Sequence, residues 1–195
     1  MSDRSSSTSI PLWAKLHRQS DGSVETWHSL PDHSADVAAV LEALLRVPTV
    51  RDRLSRLAGD SVTRRTEARL AALAFLHDVG KANRGFRCRF HAGVQGEGHI
   101  QPLAWLLHGS GTEALLERLE EALRADSWSG WMADDAHPLL DAIFAHHGRP
   151  WRTEGIANCL HLWRPDADMD PLADLAVMGA LPRLNCSPVS GCCLI

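Results

Sequence analysis

A chain of 195 residues, 45% of them hydrophobic, can bury one sizeable core and suits one domain better than two. Its formal charge of -4 excludes a strongly basic protein that coats nucleic acid, because such binding rests on Lys and Arg neutralising phosphates; a nucleic-acid substrate would have to be gripped locally or delivered by a partner. The sequence carries no apolar run long enough to span a membrane and no apolar N-terminal core for a signal peptide, so a soluble, cytoplasmic chain without membrane attachment is expected.

Residues 1–11 are Ser-rich and are expected to be disordered. From Leu12 to Leu30, Trp13 and Trp27 flank a Ser-Asp-Gly-Ser turn, a pattern that reads as an entry strap and not a helix. A first helix is expected from about Asp32, where Val37, Val40, Leu41, Leu44 and Leu45 recur at spacings of three and four until Pro48 stops the run. A second is expected after Thr63 or Thr66, with Leu70, Leu73, Ala74 and His77 on one stripe and Gly80 at its end. Residues 81–98 are glycine-punctuated and hold Arg84, Arg87 and Arg89, which reads as a surface loop able to face a substrate.

A third helix is expected from about His99 with Pro102 in its first turn, and a fourth, amphipathic, from Thr112 to about Arg124. The phrase Asp135-Ala-His-Pro138 opens a fifth, which runs through Ile143 and Phe144 to His146-His147 and stops at Gly148. Shorter helices are expected around Ile156–Leu162 and Pro171–Met178. No strand-period segment is evident, so the expected class is all-α, a helical bundle over 12–182 followed by an irregular tail over 183–195.

The sequence holds eleven histidines and no tyrosine. His33, His77-Asp78, His99 and His146-His147 all fall at expected helix ends, where side chains from different helices converge. Imidazole with carboxylate suits Mn, Fe, Co, Ni or Zn, and the absence of cysteine from the set points to a catalytic and not a structural centre. The five cysteines are irregularly spaced and suggest neither a disulfide framework nor a zinc ribbon. On a helix, neighbouring His77 and Asp78 would diverge by about 100°, so the aspartate could be shared with a second metal. Two metals about 3.5–4 Å apart can activate a water and stabilise the attacking and leaving oxygens of a phosphoryl displacement. Lys81, one turn on, could neutralise a phosphate oxygen. A buried histidine taken singly is more often a hydrogen-bonded core residue; the joint placement favours the metal reading.

The segments Leu30-Pro-Asp-His-Ser34, Phe75-Leu-His-Asp-Val-Gly-Lys-Ala-Asn83, Gly98-His-Ile-Gln-Pro-Leu-Ala-Trp105 and Phe144-Ala-His-His-Gly148 resemble the HD superfamily of phosphohydrolases. More narrowly, they resemble the HD nuclease domain of the CRISPR-associated nuclease-helicase of type I systems. The resemblance implies an HD-domain helical bundle in which His33, His77 and Asp78 hold one metal and His99, His146 and His147 a second, bridged by Asp78. It implies a pair of divalent transition ions (Mn, Co, Ni or Fe, with Mg an alternative) and endonucleolytic cleavage of single-stranded DNA in antiviral defence. Asp78 and Lys81 would be catalytic, and Lys81, Arg84 and Arg87 would hold the substrate. The family adds a later aspartate within a phrase like Leu-Ala-Asp-Trp. This chain offers Leu172-Ala-Asp-Leu175, in which Asp174 reads equally well as a ligand or as a solvated helix residue. No Walker-type phosphate loop is present, so either the helicase is a separate subunit or this chain is a fragment of one, and the other implied partner is an RNA-guided CRISPR surveillance complex. Two other readings are an HD hydrolase of nucleotides or cyclic dinucleotides, and a catalytically incomplete HD binding subunit.

Overall fold

The computed structural model describes residues 10–124, 142–145, 148 and 158–180. Within these the chain is mostly helical, but it opens on a two-stranded antiparallel hairpin, β1 (Trp13–Arg18) and β2 (Val24–Ser29). The strap is therefore a hairpin, and the domain is mostly helical, consistent with the expected HD helical domain, with one β-ribbon added. The ribbon escapes period-two reading because its register slips twice, between Trp13 and Lys15 and between His17 and Arg18, and because β2 buries none of its residues fully.

Helix α1 (Leu30–Leu45) follows directly; the Ser29 hydroxyl accepts from the Asp32 amide and Pro31 sits in its first turn. Pro48 ends that run by starting another helix, α2 (Pro48–Ala58), which was not among the expected elements and buries none of its residues. Gly59, at φ 68°, takes the left-handed position that closes it. Helix α3 (Arg64–Phe75), capped by Thr63, packs on α1. It stops five residues short of Gly80. From Leu76 onward the backbone bonds run three residues apart, Val79 to Leu76 and Lys81 to Asp78, and the chain tightens into a 3-10 turn at Val79–Ala82.

The first half of the expected surface loop 81–98 is largely interior. The short helix α4 (Arg84–Arg87) and a 3-10 turn at Cys88–Phe90 bury Gly85, Phe86 and Arg87. Asn83 organises this corner: its side-chain oxygen accepts from the Phe86 amide, and its amide group donates to the carbonyls of Gly80 and Gly98 at 2.7 and 3.1 Å. The hairpin is clamped onto it by Trp13, which stacks on Phe86 at 4.3 Å and donates to the Arg87 carbonyl.

Helices α5 (Ile100–His108) and α6 (Glu113–Leu123) lie where the leucine spacing puts them. Of the expected fifth helix only 142–145 and 148 are described; 142–144 are helical and Phe144 is buried. The segment around 156–162 contributes a 3-10 turn at Leu160–Trp163, and the last expected helix divides into the turns Pro171–Asp174 and Ala176–Gly179. Leu30, Val79, Leu103, Leu106, Trp163, Leu172 and Leu175 centre one core, and the Trp163 indole donates to the Pro102 carbonyl at 2.8 Å. The His-Asp turn lies against this core through Val79, which is 1% exposed.

Candidate metal centre

Three helix ends and the hairpin meet at Asp78. Its backbone, at φ -109° and ψ 11°, sits in the sparsely used bridge between the helical and extended regions, so the carboxylate turns inward off the end of α3. The expected 100° divergence of His77 and Asp78 on a helix is thus replaced by a tight turn that aims both side chains at one point. Gly80 is required there: a Cβ on it would lie 2.2 Å from the His99 carbonyl oxygen, so only glycine lets the turn touch the start of α5.

The carboxylate is 3% exposed and is ringed by nitrogen. Its Oδ2 lies 3.0 Å from His33 Nε2, 3.1 Å from His77 Nε2 and 2.6 Å from Lys81 Nζ, while Oδ1 lies 3.2 Å from His99 Nε2. His33 comes from the first turn of α1, His77 and Lys81 from the turn after α3, and His99 from the N-cap of α5. Burial pushes the Asp78 carboxyl up, but the hydrogen bonds from His77, His99 and Lys81, with the Lys81 charge, outweigh it and hold the group well below the usual carboxylate range. Burial, with the neighbouring Lys81, His77 and Lys15, lowers the His33 pKa against the pull of Asp78. A lowered pKa favours the neutral ring, the form that binds a metal.

The donor chemistry fits a metal ion. His77 Nδ1 lies 2.7 Å from the Ala74 carbonyl oxygen, and a carbonyl only accepts, so Nδ1 carries the hydrogen. As a cation His77 donates Nε2–H to Asp78; as a neutral ring it presents a bare lone pair to the same carboxylate oxygen. Two facing lone pairs call for a cation between them, and a backbone-anchored Nδ1 is the usual support of a ligating imidazole. His33, His77 and Asp78 bring one ligand atom each within 4.8 Å of one another. His99 faces the opposite carboxylate oxygen.

The family model described as "Cas3, HD domain" matches residues 13–171. The chain belongs to the Cas3 HD domain family. It is 35% identical over 153 residues to the CRISPR-associated endonuclease/helicase Cas3 of Thermus thermophilus, a match covering 74% of this chain and 15% of that protein. No solved structure matches.

Within this Cas3 HD domain the expected site residues divide into three groups. His33, His77, Asp78, Lys81 and His99 converge as described. His146 and His147 lie outside the described residues. Arg84 and Arg87 turn elsewhere: Arg84 pairs with Asp166 at 2.8 Å and donates to the Arg164 carbonyl, while Arg87, 3% exposed, pairs with Asp174 and donates to the Ile10 carbonyl. In this structure both guanidinium groups are therefore paired within the protein itself. Asp174 stands in this structure as the counter-ion of Arg87. Two supporting groups were not among the expected site residues, the Ala14 carbonyl that accepts from Lys81 Nζ at 3.2 Å and the wholly buried Asn83, which stood in the quoted motif without an assigned role.

Proposed function

We propose that the chain is a divalent-metal-dependent nuclease of CRISPR antiviral defence, cutting single-stranded DNA. The observation that carries this reading is the ring of imidazole nitrogens closed around one ionised, buried carboxylate in a Cas3 HD domain. His33, His77 and Asp78 would hold one ion; His99, with His146 and His147, would help to hold a second. Mn, Co, Ni or Fe suits this mixed set. Ions held there supply Lewis acidity and an activated water, and neutralise charge on the attacking and leaving oxygens.

The chain's own residues prepare that chemistry. The Ala74 carbonyl fixes the His77 tautomer, so that ring needs no reorientation on binding. Lys81 keeps Asp78 ionised and oriented, and the Ala14 carbonyl holds Lys81. Gly80 lets His99 close on the turn. The Thermus relative is named as an endonuclease/helicase, of which this chain matches a small part, and no ATP-binding loop occurs in these 195 residues. Unwinding would come from a helicase, whether on a separate subunit or on the same polypeptide, and delivery from an RNA-guided surveillance complex.

The test is incubation of the Mn2+-loaded chain with circular single-stranded DNA, beside Asp78→Ala. Nicking by the wild type and its loss in the variant support the proposal. Hydrolysis of nucleotides without nicking would favour a small-molecule hydrolase, and DNA binding without any turnover would favour a binding subunit.

A further inference from the structure

The hairpin brings to the mouth of the site a cation that takes no part in the metal set. Lys15 and His28 are Cα partners across β1 and β2, so their side chains stand beside each other on one face, with Cβ atoms roughly 5 Å apart. From His28 the next ring inward is His33, edge-on at 5.8 Å between centroids. One residue before Lys15, the buried Ala14 offers the carbonyl that holds Lys81 Nζ, which pins this stretch of β1 over Asp78. Ala14 is thus inside and Lys15 outside at the same point of the strand.

The other cations of this region are already engaged. Lys81 is paired with Asp78, Arg84 with Asp166 and Arg87 with Asp174. Arg18 donates to the carbonyls of Gly22 and Arg89, and Arg89 lies over the Phe86 ring at 5.1 Å. The nearby acids are matched by histidines, Asp36 with His28 at 3.4 Å and Glu25 with His17 at 3.2 Å. Among the described residues Lys15 has no ion pair. An exposed ammonium on a flexible stem reads charge and not base identity, which is what a sugar-phosphate backbone presents.

We infer that Lys15 is a phosphate-positioning residue for this site: beside His28 it receives a phosphodiester oxygen of a single strand entering over the hairpin, one step outside the Asp78 cluster. The inference deepens the nuclease reading and rests on it.

The test compares wild type, Lys15→Gln and Lys15→Arg as full chains, with a fluorescent oligothymidine as the probe and Mn2+ as the metal. For Lys15→Gln, KM is expected to rise several-fold with kcat, melting temperature and Mn2+ affinity unchanged. The slope of log binding constant against log salt is expected to shrink by about 0.7, the share of one phosphate on a single strand. Lys15→Arg keeps the charge and is expected to restore both. Wild-type KM and salt slope in Lys15→Gln overturn the inference, as does a loss explained by weaker Mn2+ binding. If the wild type cleaves no DNA at all, the nuclease reading fails, and the salt slope alone then decides for or against Lys15.

Discussion

Replacing Asp78 by alanine in the metal-free protein strands a buried cation, and the cost can be worked from the contacts. Lys81 is 9% exposed, with Nζ 2.6 Å from Asp78 Oδ2 and 3.2 Å from the Ala14 carbonyl. Breaking a buried ion pair by removing one partner costs about 3–5 kcal/mol, most of it the penalty of the charge left behind. The remaining carbonyl, and a stem long enough to edge toward solvent, put the expected loss near the low end, about 3 kcal/mol. In a Lys81→Met background no ammonium is stranded, and Asp78→Ala then removes only hydrogen bonds from the three histidines, about 1–2 kcal/mol. The two substitutions are therefore expected to couple by about 1–2 kcal/mol in a double-mutant cycle. Urea denaturation of all four proteins in EDTA, monitored by tryptophan fluorescence, gives the cycle directly. Equal costs of Asp78→Ala in both backgrounds would refute the argument that Lys81 depends on this carboxylate.

Gly80→Ala drives a methyl into the His99 carbonyl, so a loss of about 1–3 kcal/mol is expected, with weakened Mn2+ binding as His99 is displaced; a stable variant with wild-type affinity would count against the close approach. Asp174→Ala leaves the buried Arg87 guanidinium without its carboxylate. A stability loss of about 1–3 kcal/mol with Mn2+ affinity retained is expected, whereas lost affinity would make Asp174 a ligand after all. The pH dependence follows from His33. Its folded pKa is lowered, so below the ordinary imidazole value of about 6.5 the unfolded chain takes a proton that the folded chain refuses, and stability falls as pH drops through that window. His33→Gln is expected to flatten this fall in urea midpoints measured from pH 7.5 to 5.5, taken here as roughly one unit either side of that value; parallel profiles would speak against it.

Helices α1, α3, α5 and α6 were legible because leucine and valine recur in them at helical spacing. In α1, however, the face that is buried is set by Leu30, His33, Ser34 and Leu45, while Val40 and Leu44 are exposed. Helix α2 was not read, although Val50, Leu54 and Leu57 recur at helical spacing in it, and none of its residues is buried. The hairpin hid behind its register slips. The histidines and Asp78 announced themselves by residue type and by position near helix ends, so the convergence of His33, His77 and His99 was accessible to sequence reasoning. The turn that achieves it was not, because the end of α3 is set by a tertiary contact, Gly80 against the His99 carbonyl. Arg87 illustrates the same limit. Its neighbours in sequence suggest a basic loop, yet its partner Asp174 lies 87 residues away, and only the folded core brings the two together.

The central claim is that the Asp78 carboxylate, with its histidines, binds the divalent ion that the chemistry needs. Isothermal titration of the metal-free chain with Mn2+, followed by nicking of circular single-stranded DNA in the same samples, tests it most directly. Saturable binding and nicking are expected in the wild type, and the loss of both together in Asp78→Ala. Binding and nicking that survive in Asp78→Ala would contradict it.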